Sequence, residues 1–188
     1  EYSVLGTEHI WGGTDHLMFV LGLLLLVGGG RRLLWTITAF TLGHSVTLAL
    51  VTLGLLSYPV SLVEFAIALS IFVLALDLAR SPQVDSNQNV SLFKRHPWWL
   101  AGGFGLLHGM GFAGALADIG LPQSNVPLAL LFFNIGIEAG QIAFLLLLLA
   151  GWWLFKQALA MSAVTVNRAR LVLIPVYLLG GLSAMWCI

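Results

Sequence analysis

Glu8-His9-Ile10-Trp11-Gly12-Gly13-Thr14-Asp15-His16-Leu17-Met18-Phe19-Val20-Leu21-Gly22-Leu23-Leu24-Leu25-Leu26-Val27 sets two imidazoles and a carboxylate directly against a long apolar run. Ionisable side chains inside hydrocarbon are costly, so they face a bundle interior or a watery cavity and mark a functional path. His9 and His16 are separated by two helical turns and share one face if the segment is helical. Two imidazoles and a carboxylate on a short segment are the donors that a borderline divalent metal such as nickel or zinc uses.

Working outward, the whole chain has the same character. Of 188 residues, 59% are hydrophobic and 9% are charged, a composition that suits a bilayer rather than a water-exposed globule. The formal net charge is zero, which gives a nucleic-acid partner no electrostatic support. The single cysteine, Cys187, excludes an internal disulfide and a multi-cysteine metal site. The chain starts at Glu1 without an initiating Met, so Glu1 reads as a processed or trimmed end, with a signal peptide or a larger extracytoplasmic region ahead of it.

The apolar runs predict an all-α polytopic membrane protein: one domain over residues 1–188, built as a six-transmembrane-helix bundle. The spans fall at about 10–28, 33–55, 62–79, 98–117, 127–155 and 171–188, with a polar cytoplasmic loop at 80–97. Pro59, Pro97 and Pro127 stand at helix entrances, where a missing backbone donor does little harm. The basic residues Arg31, Arg32, Arg80, Lys94, Arg95, Lys156, Arg168 and Arg170 all follow spans one, three and five. The positive-inside rule makes those loops cytoplasmic and puts both termini outside.

Depth then follows from the helical rise. His9 lies at the outer boundary and His16 about 9–12 Å below it, while His44, His108 and Glu138 each lie about 15–16 Å into their spans. These residues, with Asp15, form the expected metal set: His9, Asp15, His16, His44, His108 and Glu138. Glu64 could line an entrance, and Asn134 and Gln141 flank Glu138 as a polar stripe that supports the path. Gly105 with Gly109, and Gly136 with Gly140, are small-xxx-small pairs that let backbones approach, and they suggest that spans four and five press together at the polar site. Trp11 is placed to shield the outer mouth, and the remaining tryptophans near span ends read as interfacial anchors.

His9-x5-Asp15-His16 followed by Leu-Met-Phe-Val-Leu-Gly resembles the HupE/UreJ family of hydrogenase and urease accessory membrane proteins. Thr41-Leu42-Gly43-His44-Ser45, Leu107-His108-Gly109-Met110-Gly111-Phe112-Ala113 and Phe133-Asn134-Ile135-Gly136-Ile137-Glu138-Ala139-Gly140-Gln141 look like the same family, in its second, HupE/UreJ-like branch. The resemblance runs from Glu8 to Leu182 and implies nickel handling, with members regarded as secondary Ni²⁺ permeases and the HX5DH motif, here His9, Asp15 and His16, required. A second motif of the better-studied branch keeps His108-Gly109 here but has Phe112 and Ala115 in place of its further polar pair, leaving Glu138 as the carboxylate that could stand in.

Three functions fit these residues. The first is a divalent-metal permease or metal-binding accessory membrane protein, nickel-type. The second is a zinc-type intramembrane hydrolase in which three His ligands leave room for water and Glu138 serves as general base, although no HExxH pattern is present and no catalytic residue is assigned. The third is a protein that uses these groups only as helix-to-helix glue. Besides lipid and a divalent cation, a second copy of the chain or a metalloenzyme-maturation protein is the partner this reading leaves open.

Overall fold

A computed structural model describes residues 1–80, 91–119, 125–161 and 168–187. The chain is all-α, with α1 (Tyr2–Gly12), α2 (Thr14–Val27), α3 (Arg31–Thr52), α4 (Val60–Arg80), α5 (Leu92–Arg95), α6 (Pro97–Ile119), α7 (Val126–Met161) and α8 (Arg168–Trp186), and no strand among the described residues. Helices α3, α4 and α7 are each long and apolar enough to cross a membrane, and α1 with α2 makes a fourth if that bent pair counts as one span. Residues 81–90 of the expected polar loop, and the side chains of Phe112 and Ala115, lie outside the described residues.

The first segment differs most from the sequence expectation of one helix over about 10–28. Helix starts at Tyr2 and breaks at Gly13, where the axes of α1 and α2 meet at 77°. Gly13 closes one helix and opens the next: its N–H donates to His9 O at 2.9 Å, and its carbonyl accepts from Leu17 N–H at 3.1 Å. Asp15 falls in the first turn of α2, where a carboxylate complements the helix dipole.

Close backbone contact assembles the bundle. Cβ atoms added at Gly43, Gly105 and Gly109 would run into the carbonyls of Gly102, Phe40 and His44, so α3 and α6 pack backbone to backbone. Gly6 on α1 meets the Phe133 carbonyl of α7, and Gly136 on α7 meets the Ser3 carbonyl of α1. Thr7 Oγ1 also donates to Gly136 O at 3.0 Å. The two glycine pairs therefore serve different partners: that of α6 grips α3 and that of α7 grips α1, rather than pressing α6 against α7. In both seams contact positions rise together along the two chains, so α3 and α6 run parallel, as do α1 and α7.

Phe19, Val20, Leu23, Ile37, Phe40, Ile71, Leu74 and Leu179 form one buried core, and Ile10, Leu48, Leu130, Phe133 and Ile137 a second beside it. Outside, Leu42, Leu131, Ile135, Leu146 and Leu178 are exposed, an apolar surface that lipid solvates and water would not. At one end, the Arg32 guanidinium donates to the backbone carbonyls of Lys94 and Arg95, so the basic pairs 31–32 and 94–95 sit together. Tyr58 ties the α3–α4 loop down by donating its hydroxyl to the Met110 carbonyl on α6.

The α3–α6 seam gives a direct test of this packing. Gly105→Ala forces a methyl against a backbone carbonyl and should cost about 1–3 kcal/mol. Gly103→Ala enters open space and should gain up to about 1 kcal/mol through helix propensity. Thermal melts in one detergent compare the two; equal melting temperatures would contradict the packing described.

Candidate metal centre

The break between α1 and α2 brings the ionisable residues together. His9 ends α1, Asp15 and His16 begin α2, His44 comes from α3 and His108 from α6. The bend needs glycine for room rather than for its backbone angles, since φ −84° and ψ 98° suit any residue. A Cβ at Gly13 would lie 2.7 Å from His16 Nδ1 and 3.0 Å from Asp15 Oδ1. His9 and His16 do not meet by sharing one helical face; they meet because the helix turns between them.

Ring centroids lie 4.5 Å apart for His9–His16, 5.9 Å for His9–His44, 6.0 Å for His16–His44 and 5.0 Å for His16–His108. Asp15 bridges two of the rings, with Oδ1 3.1 Å from His16 Nδ1 and Oδ2 3.8 Å from His108 Nδ1. His16, His44 and His108 are 4%, 0% and 1% exposed, so water reaches them only where a cavity admits it. His16 Nε2 and both ring nitrogens of His44 and of His108 have no hydrogen-bond partner. A buried polar atom left in that state costs about 1–3 kcal/mol, so several kept together mark the centre as a candidate binding site.

Two ligand groups result: His9, His16 and His44, and Asp15, His16 and His108, with the donor atoms of each within 4.8 Å of one another. Two bonds of about 2.1 Å span at most about 4.2 Å, so side-chain shifts of under about 1 Å would close either group on an ion. A cavity of about 480 Å³ reaches this centre, lined in part by His9, Asp15, His16, Glu64, His108 and Trp186. The tryptophan at its wall is Trp186; Trp11, expected there, instead packs edge-on to Phe144 at 6.5 Å.

Phenylalanines hold the rings from behind, a shell the sequence reading did not anticipate. Phe40 lies 5.2 Å from His108 and 6.2 Å from His44, Phe19 lies 5.4 Å from His108, and Phe133 lies 5.7 Å from His9. A signal was available, because Phe19 follows His16 and Phe40 precedes His44 by about one helical turn each. Glu138 does not join either ligand group: its Oε1 accepts from Thr38 Oγ1 at 2.6 Å. Gln141 is buried and its Oε1 accepts from Thr41 Oγ1 at 3.1 Å. Asn134 donates to Leu130 O at 2.8 Å, and its side chain lies beside His44. His96 stands apart from the cluster, against Trp98.

The HupE / UreJ protein family model matches residues 1–188. The chain belongs to the HupE/UreJ family. That family is associated with nickel and cobalt accessory functions at the membrane, and this member is a multi-pass membrane protein. No curated protein and no solved structure matches the chain. The donor chemistry of this HupE/UreJ chain fits a borderline divalent cation: neutral imidazole nitrogens dominate, one carboxylate joins them, and no thiolate is present in either group.

If the rings exist to bind, removing one should relieve the metal-free protein. His44→Leu replaces two buried nitrogens lacking partners with hydrocarbon, and should leave stability unchanged or raise it by up to about 2 kcal/mol in the presence of a chelator. It should also lower the added stability that Ni²⁺ gives the native chain, because one ligand of one group is lost. A loss of more than about 2 kcal/mol without metal would identify His44 as packing glue instead.

Proposed function

We propose that this HupE/UreJ protein is a divalent transition-metal permease or metal-binding accessory membrane protein of the nickel type. One observation carries the reading: two His/Asp ligand groups share a buried centre at a cavity in a lipid-facing bundle. Cation and protein meet through His9, Asp15, His16, His44 and His108, with Glu64 at the cavity wall drawing cations inward. Glu138 and Gln141, bonded to Thr38 and Thr41, line the path rather than ligate, and Asn134 supports His44. The chain spans the bacterial inner membrane six times with both termini outside, a topology that rests on the segregation of lysine and arginine. The shared end of the 31–32 and 94–95 basic pairs supports that orientation.

A zinc-type intramembrane hydrolase is the second reading, favoured by a cavity large enough for a substrate group beside Asp15, His16 and His108. It needs a general base, and Glu138 is held by Thr38 outside either ligand group. That weakens hydrolysis and leaves transport or metal delivery as the better account.

Cells carrying His16→Ala should accumulate at least about 10-fold less nickel, cobalt or zinc through this protein than cells with the native chain, because ligand loss lowers affinity on that scale. Unchanged accumulation would remove transport from the account.

A further inference from the structure

We infer that His16 is the pivot of two overlapping cation positions, an outer one on Asp15 and His108 and an inner one on His9 and His44, between which a single cation passes without losing its last ligand. The inference rests on the metal-handling function proposed above and adds the order in which its ligands act.

The two groups differ in access. Asp15, His16 and His108 all line the cavity, as does His9, whereas His44, which completes the second group, does not and is 0% exposed. A cation coming through the cavity therefore finds the Asp15 group complete at its wall, while the other group is completed only by the buried His44. His9 and His44 stand against His16, with centroids 4.5 Å and 6.0 Å from its ring. The spacing of His44 and His108 is fixed, because their helices touch backbone to backbone at Gly105 and Gly109 on either side of them. His16 Nε2 has no hydrogen-bond partner, while Nδ1 is engaged by Asp15, so one ring nitrogen serves both positions in turn.

The groups also differ in chemistry. The outer position offers one carboxylate and two imidazoles, and its negative charge offsets part of the cation's desolvation. Many hydrated divalent cations would be accepted there. The inner position offers three neutral imidazoles, a set that suits nickel, cobalt, copper or zinc and not magnesium or calcium, which demand oxygen. Capture and selection are thus divided between adjacent places. Simultaneous filling is disfavoured twice: the groups share a donor residue, and two dications so close repel strongly where water is scarce. No bond in the protein is made or broken in the transfer; Asp15 and His108 are exchanged for His9 and His44 while His16 stays bound.

The test is Ni²⁺ binding to the purified full chain in lipid nanodiscs, with stoichiometry from mass spectrometry and imidazole count from X-ray absorption. His44→Ala should retain one nickel per chain with two imidazoles, and His108→Ala one nickel with three. Each should lose roughly 10- to 100-fold in affinity, and His16→Ala should lose more than either because both positions need it. Should an alanine variant fail to fold, His44→Gln and His108→Gln keep the side-chain volume and carry the same expectation. Two nickel ions per native chain would overturn the pivot, as would complete loss of binding in both the His44 and His108 variants. Those results leave the proposed function standing; a native chain that binds no nickel, cobalt or zinc would instead remove that function and the pivot with it.

Discussion

Imidazole nitrogens buried without hydrogen-bond partners are the constraint on which this structure turns. In water-poor surroundings a polar atom has few ways to be satisfied, and here His16, His44 and His108 face one another and Asp15 rather than backbone carbonyls. Ring contacts at 5.0–6.0 Å leave those nitrogens without hydrogen bonds. The fold therefore tolerates an arrangement that is poor as glue and well suited to receiving a cation. Its cost has to be met elsewhere in the molecule.

Glycine contacts meet it. Gly43, Gly105 and Gly109 join α3 to α6 so closely that His44 and His108 have no freedom to drift apart, and Gly6 with Gly136 does the same for α1 and α7. Gly13 then supplies the turn that brings the His9 and His16 rings to 4.5 Å from each other. Phe19, Phe40 and Phe133 fill the space behind the rings, fixing their orientation by shape rather than by hydrogen bonds. Rigid seams around these polar groups hold the candidate site in one shape.

Much of this was legible in the sequence. Apolar runs of helical length foreshadowed α3, α4 and α7 within a few residues at most ends, and charged residues too costly to leave in lipid singled out His9, Asp15, His16, His44 and His108. Depth along a helix can be counted from sequence, so convergence could be anticipated. Direction around a bundle cannot, which is why Glu138, at suitable depth, was grouped with the histidines although it bonds to Thr38. The break at Gly13 was hidden because Gly12-Gly13 is compatible with continuous helix in lipid, and only the crowding of His16 and Asp15 against position 13 makes the turn necessary. Partner choice of the glycine seams was equally hidden, since small-xxx-small spacing says that a face packs closely and not against what.

The central claim is that histidines from separate helices grip one cation within the bundle. Anomalous scattering recorded at the nickel edge, from crystals of the protein grown with Ni²⁺, tests it most directly. The account predicts a peak about 2.1 Å from a ring nitrogen of His16, with further donors from Asp15 and His108 or from His9 and His44. A peak confined to surface residues such as His96, with the buried rings unbound and paired to protein groups, would contradict it.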